Sequence, residues 1–252
     1  MKTQNGIAWI IGGGSGIGAE MTHQLVERGW TVAISGRTVK KLERVRGTNP
    51  NIAIYPLDVT DRAAVDHTVA QVASELGRID LFIYGAAAWE PMDVGDYDPE
   101  KFGKIVETNL MGMVGMANPV VSQMERQGGG QFAVISSVAG YFGLPRAAGY
   151  NATKAALISL LQTMRTELKP RNVVVRMIAP GFFKSELTEK NDFPMPFLME
   201  TKEAARRALD GLFGSDRFEI AYPKRLAWPM KLMRMLPYPI FFAITDRMMP
   251  KE

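Results

Sequence analysis

Six short apolar runs recur along the chain, at residues 7–11, 32–35, 52–55, 81–84, 132–135 and 173–178, and each reads as a buried strand. Between them apolar residues return every three or four positions. Ile17, Met21 and Leu25 form one such stripe, with Glu20, Glu27 and Arg28 off it and Gly29 at the exit. Nearly all-apolar strands alternating with helices predict a parallel sheet covered on both faces, because parallel neighbours need a crossover and that crossover is usually a helix. The expected fold class is therefore α/β, a doubly wound parallel sheet of about seven strands with helices on both faces. A helix beginning near Ala147 should pass through Leu157 and Leu161 and stop at Pro170, which lacks a donor and clashes with the preceding turn. Thr201 is placed to cap a further helix through Phe213, and a last short strand is expected at 219–222.

The first run leads directly into Gly12-Gly13-Gly14-Ser15-Gly16-Ile17-Gly18 and then into a helix. Such a cluster alone is equally a tight strand-to-helix turn. With a strand before it and a helix after it, the glycines let the backbone approach a pyrophosphate while the helix amides and dipole stabilise its charge. The second run ends in Gly36-Arg37, where an NAD-binding protein usually offers a carboxylate to the adenosine ribose. Arg37 suits a 2′-phosphate instead, so NADP(H) is favoured over NAD(H), the plainer alternative being a solvated surface arginine.

Tyr150 and Lys154 are four residues apart on a predicted helix, so phenol and ammonium share a face. A phenol is a poor base near neutrality, but a neighbouring Lys⁺ and an oxidised nicotinamide favour its phenolate. On an arbitrary helix this pair is a surface pair. Here the fifth run ends in Ser136-Ser137, which puts a hydroxyl at the carboxyl edge of the sheet, where open α/β folds hold their ligands.

Over roughly residues 6–185 the chain resembles the short-chain dehydrogenase/reductase family, which has a Rossmann-like fold. Gly12-x-x-x-Gly16-x-Gly18 matches its cofactor loop, Asp58-Val59 its adenine contact, Asn109 its helix asparagine and Ser137 its serine. Tyr150-x-x-x-Lys154 matches its catalytic pair, and Pro180-Gly181 its turn beneath the nicotinamide. The resemblance implies Tyr150 as acid/base, Ser137 orienting the carbonyl, Lys154 holding the nicotinamide ribose and tuning Tyr150, and Asn109 fixing a water in a proton relay. It also implies hydride transfer from the pro-S face, with Ser15, Ile17 and Ala86 along the cofactor. By the same likeness the Phe183 backbone meets the carboxamide, and Ser185 stands where a threonine is common. Two departures matter. Tyr84-Gly85-Ala86-Ala87 replaces an Asn-Asn-Ala-Gly turn whose asparagine ties neighbouring strands, which puts local rigidity in question, and no basic residue lies in the glycine loop.

The whole chain, residues 1–252, reads as a single dinucleotide-binding catalytic domain. It contains no cysteine, and His23 and His67 lie far apart, so no disulfide and no metal site is expected. Residues 186–213 begin with an apolar, proline-rich loop and read as a substrate lid. The net charge of +4 lies in a basic amphipathic tail, 224–252, with six basic against two acidic residues; the rest of the chain balances at 24 of each. That tail suits an anionic membrane surface, an active-site cover or a subunit interface, and nucleic acid is not expected. The lead MKTQNG is too brief for a signal peptide, which points to the cytoplasm, with peripheral membrane contact through the tail as an option. The expected activity is NADP(H)-dependent hydride transfer between nicotinamide and a carbonyl or secondary alcohol. Methionines in lid and tail point to an apolar small-molecule substrate. By resemblance the chain forms a homodimer or homotetramer through the helices of Asn109 and Tyr150. The alternative is a non-catalytic NADP(H)-binding sensor or scaffold.

Overall fold

The computed structural model describes residues 5–191 and 193–248. The apolar runs become β1 (Ile7–Ile11), β2 (Thr31–Gly36), β3 (Ile52–Pro56), β4 (Leu81–Tyr84), β5 (Gly130–Ile135) and β6 (Val173–Pro180), with β7 (Glu219–Tyr222) last. They form one sheet in the order β3-β2-β1-β4-β5-β6-β7, and every pairing is parallel. The connecting helices are α1 (Gly16–Glu27), α2 (Val39–Arg46), α3 (Arg62–Leu76), α4 (Pro99–Val106), α5 (Gly112–Arg126), α6 (Ala148–Leu168) and α7 (Thr201–Gly214). A π-helical turn, Glu107–Met111, joins α4 to α5, and α8 (Lys224–Met233) and α9 (Tyr238–Thr245) follow β7.

Alternation along the strands divides the core between the two faces of the sheet. Trp9 and Ile11 of β1 pack with Val69, Val120 and Leu161 from α3, α5 and α6. Ala8 and Ile10 pack with Met21, Leu42 and Leu209 from α1, α2 and α7. The stripe Ile17, Met21 and Leu25 is wholly buried, as its spacing predicts. At the end of α6, Pro170 falls in a 3-10 turn, Lys169–Arg171, which closes the helix.

Two boundaries differ from expectation. Glu200, not Thr201, occupies the N-cap of α7; Thr201 is the first helical residue, and its hydroxyl donates to the Lys184 carbonyl. The predicted lid also divides. Residues 201–213 belong to α7, which buries Ala204, Ala208, Leu209 and Leu212 in the core. At roughly 2 kcal/mol per buried leucine, lifting this helix would cost several kcal/mol, so only the preceding loop is free to act as a cover. The final tail residues, among them Met249, Lys251 and Glu252, lie outside the described residues. Among the described residues no helix is long and apolar enough to cross a membrane.

Candidate active site

Strand order reverses between β1 and β4, so the connections leaving their carboxyl ends diverge and open a cleft. The cleft measures about 930 Å³ and is lined from the ends of six strands, by Gly12, Arg37, Asp58, Ala86, Ser136 and Pro180 among others. Gly12 has φ +84°, and a Cβ there would fall 2.9 Å from the backbone of Gly85 and Ala86. A Cβ on Gly18 would lie 2.3 Å from the Gly12 carbonyl oxygen, so α1 can pack this close to β1 only with glycine. Ser15 is the N-cap of α1 with its side chain making no capping bond, and the first turn carries no acidic residue. The amides of Gly16, Ile17 and Gly18 thus meet the cleft uncapped, a cradle that fits a dinucleotide pyrophosphate.

Arg37 and Lys41 line the same cleft. Lys41 Nζ is held 2.7 Å from Glu186, an ion pair that spans the cleft mouth from α2 to the loop after β6. Asp58 accepts from Thr60 N at 3.0 Å and Oγ1 at 2.8 Å. Burial raises the pKa of Asp58, but these bonds and the nearby Arg37 charge outweigh it and hold the carboxyl below its usual range. Val59 is buried beside Asp58 and lines the cleft.

Deeper in, the structure brings Ser137, Tyr150 and Lys154 together. Lys154 is buried and donates to the Ile135 carbonyl at 2.8 Å, with Nζ 5.3 Å from the Tyr150 ring centre. Burial pushes the Lys154 amine down to about 7. Burial pushes the Tyr150 phenol up to about 12, while its hydrogen bond with Ser137 pulls the other way. Desolvation is thus the largest influence on both groups, with the Ser137 bond opposing it at Tyr150. Ser137 caps the turn Val138–Gly140 by accepting from Ala139 N at 3.1 Å. Trp89 meets Tyr150 edge-on, 5.4 Å between ring centres at 72°, and its indole N–H donates to Asn191 Oδ1 at 3.1 Å.

Asn109 lies within the π-helical turn and is fully buried. Its amide donates to the Ala88 carbonyl at 3.0 Å and to Thr153 Oγ1 at 3.1 Å, and its oxygen accepts from Ala88 N at 2.6 Å. Both amide hydrogens have protein partners, so the side chain locks the loop after β4 to α6. The loop is firm despite its missing asparagines. Gly85 N donates to Ile11 O at 2.8 Å, and the Tyr84 hydroxyl donates to Thr108 O at 2.5 Å, tying β4 to β1 and to the π turn. Rigidity lost with the amide side chains is supplied by the phenol, and Gly112 leaves room for it, since a Cβ there would lie 2.4 Å from the Tyr84 oxygen.

Of the remaining expected residues, Pro180, Phe183 and Ser185 line the cleft, whereas Gly181 does not. Gly181 packs behind it, where a Cβ would fall 2.7 Å from Leu226, and its amide donates to Tyr222 O at 2.7 Å. Ser185 is drawn into a local turn, accepting from Thr188 N at 3.2 Å. Thr188 also donates to the Phe183 carbonyl at 2.8 Å. Sequence reasoning missed Trp89, Lys41 and Thr188. Only Trp89 left a signal, as an aromatic directly after the loop of β4. Among the described residues no group of His, Cys, Asp and Glu could hold a metal ion.

A phosphate cradle at the switch point, with a phenol, a hydroxyl and an ammonium beyond it, defines a dinucleotide-dependent oxidoreductase. The model of the short chain dehydrogenase family matches residues 6–194, and the chain belongs to that family. It is 34% identical over 245 residues to an uncharacterized oxidoreductase of Myxococcus xanthus, covering 96% of each chain. It is 31% identical to a 3-oxoacyl-[acyl-carrier-protein] reductase of Thermotoga maritima, over 75% of this chain and 79% of that one. The crystal structure of a short chain dehydrogenase from Burkholderia cenocepacia in complex with NADP has the same fold, with a TM-score of 0.85, 23% identity and full coverage of both chains. The protein is a dehydrogenase or reductase acting on CH–OH or C=O groups.

Proposed function

We propose that this protein is an NADP(H)-dependent reductase of apolar carbonyl compounds, in which Tyr150 is the proton donor. The observation that carries the reading is the cluster of buried Ser137 and Lys154 with half-buried Tyr150, in which Tyr150 and Lys154 line a cleft fitted for a dinucleotide and Ser137 hydrogen-bonds Tyr150. Gly12, Ser15, Gly16, Ile17 and Gly18 would hold the pyrophosphate, Arg37 the 2′-phosphate, Asp58 and Val59 the adenine end, and Lys154 the nicotinamide ribose. When bound, the nicotinamide supplies the hydride. Ser137 orients the carbonyl oxygen by hydrogen bonding, and Tyr150, protonated at neutral pH, delivers its proton to that oxygen as negative charge develops. A protonated phenol beside an amine near its own pKa suits reduction, because Lys154 can share in restoring the proton.

Apolar substrates are supported by the Trp89 wall beside Tyr150, by Leu187 on the cleft rim and by the 3-oxoacyl chain named for the Thermotoga maritima relative. NADP(H) is supported by Arg37, by Lys41 and by the NADP of the Burkholderia cenocepacia structure. A sensor has no need of this cluster. Tyr150→Phe should keep NADPH affinity within about twofold while lowering turnover by at least about a hundredfold, the lower end of what a positioned acid contributes. Near-full turnover by that variant on a demonstrated substrate would overturn the assignment.

A further inference from the structure

The tail is unused by this chemistry. Its two helices are each anchored on one side: Ala227 and Thr245 are buried, and Phe241 meets Phe142 edge-on at 5.3 Å and 85°. The outer face is different. Trp228 and Leu232 fall at i and i+4 on one stripe of α8, Met235 stands exposed just past its end, and Tyr238 and Phe242 of α9 stack at 5.7 Å and 17°. These five side chains are between 52% and 80% exposed, apolar surface of a kind that marks an interaction site.

Around it stand Lys224, Arg225, Arg234 and Arg247, none of them in an ion pair among the described residues, while Lys231 is taken up by Glu219. We propose that this exposed side of α8 and α9 docks the enzyme on an anionic lipid surface, with the five apolar side chains entering the interface and the four cations meeting headgroup phosphates. Charge selects this occupant. A second copy placed against the face by a two-fold axis would set the same unpaired cations against themselves, whereas an anionic bilayer complements them. Large amphipathic Trp and Tyr side chains beside cations are also what the headgroup region accommodates. Docking would hold the lipid close to the cover loop, because the Arg225 guanidinium lies over Phe197, 4.3 Å from its ring centre. None of these residues belongs to the cofactor cleft, so failure here leaves the reductase reading untouched.

The test is flotation of the full chain with vesicles of phosphatidylcholine alone and of phosphatidylcholine mixed with phosphatidylglycerol. Binding is expected only to the mixed vesicles and should fall with salt. Lys224→Gln with Arg234→Gln should weaken it roughly 25-fold, about fivefold for each charge near the surface. Trp228 is the one exposed tryptophan, with Trp9, Trp30 and Trp89 all buried, so its emission should shift to the blue on binding and the shift should vanish in Trp228→Phe. Circular dichroism melts of each variant establish that folding is retained. No partition into anionic vesicles, partition indifferent to lipid charge and to the glutamine variant, or a dimer in solution that Leu232→Ser with Tyr238→Ser dissociates would each overturn the proposal.

Discussion

Tyr84 and Gly112 form a matched pair, and their coupling can be measured. A Cβ at Gly112 would lie 2.4 Å from the Tyr84 oxygen and 2.7 Å from Val59 Cγ2, so Gly112→Ala forces two buried groups apart. Overpacking of this kind costs about 1–3 kcal/mol. Tyr84→Phe keeps the ring but removes the 2.5 Å bond to the Thr108 carbonyl, and losing a buried donor costs about 1–2 kcal/mol. In the double variant the nearer obstacle is gone, so the two costs should not add: the double variant should be more stable than the sum by about 1 kcal/mol or more. Urea denaturation of the four proteins closes the cycle. Additivity within about 0.5 kcal/mol would refute the pairing. Because the hydroxyl fixes the π turn that carries Asn109, Tyr84→Phe should also lower kcat more than it raises the KM for NADPH.

Lys154 should leave a signature in stability. Its amine is held down to about 7 by burial, against an ordinary 10.5, so the penalty of a buried ammonium is present in full below about pH 7. From there to about pH 10.5 the unfolded chain binds more protons than the folded one, so stability rises with pH. Free protein should gain on the order of 1 kcal/mol per pH unit between pH 7 and 9, and Lys154→Met should abolish that gain; equal pH slopes in the two proteins would contradict the burial argument. Glu186→Gln releases Lys41 from its ion pair at the cleft mouth. Since that pair is solvent-exposed, stability should change little, while NADPH affinity should rise about threefold at low salt; an unchanged or weaker affinity would place Lys41 away from the cofactor.

The sheet was legible because its strands are short and apolar on both faces, a pattern no amphipathic helix imitates, and residues 219–222 form a strand at the expected place. The candidate site residues could be placed together because their spacings are local: Tyr150 and Lys154 share one helix face, and Gly12 to Gly18 share one turn. What escaped was carried by tertiary contact. Trp89 acquires its role from Asn191, about a hundred residues on, and Lys41 from Glu186 across the cleft. The partners of Asn109 left no sign in the sequence, because a π turn is invisible in residue types. The spacing of 201–213 read as a helix, but that this helix is held in the core and does not belong with the cover loop before it shows only in its burial.

The central claim is that a dinucleotide bearing a 2′-phosphate is read by Arg37. Titration of the purified protein with NADPH and with NADH, followed by nicotinamide fluorescence and repeated with Arg37→Ala, tests it most directly. NADPH should bind the more tightly, and losing a charge-assisted phosphate contact of about 1.5–3 kcal/mol should weaken it roughly 10- to 100-fold while leaving NADH nearly unchanged. Equal affinity for the two dinucleotides, or equal weakening of both by Arg37→Ala, would contradict it.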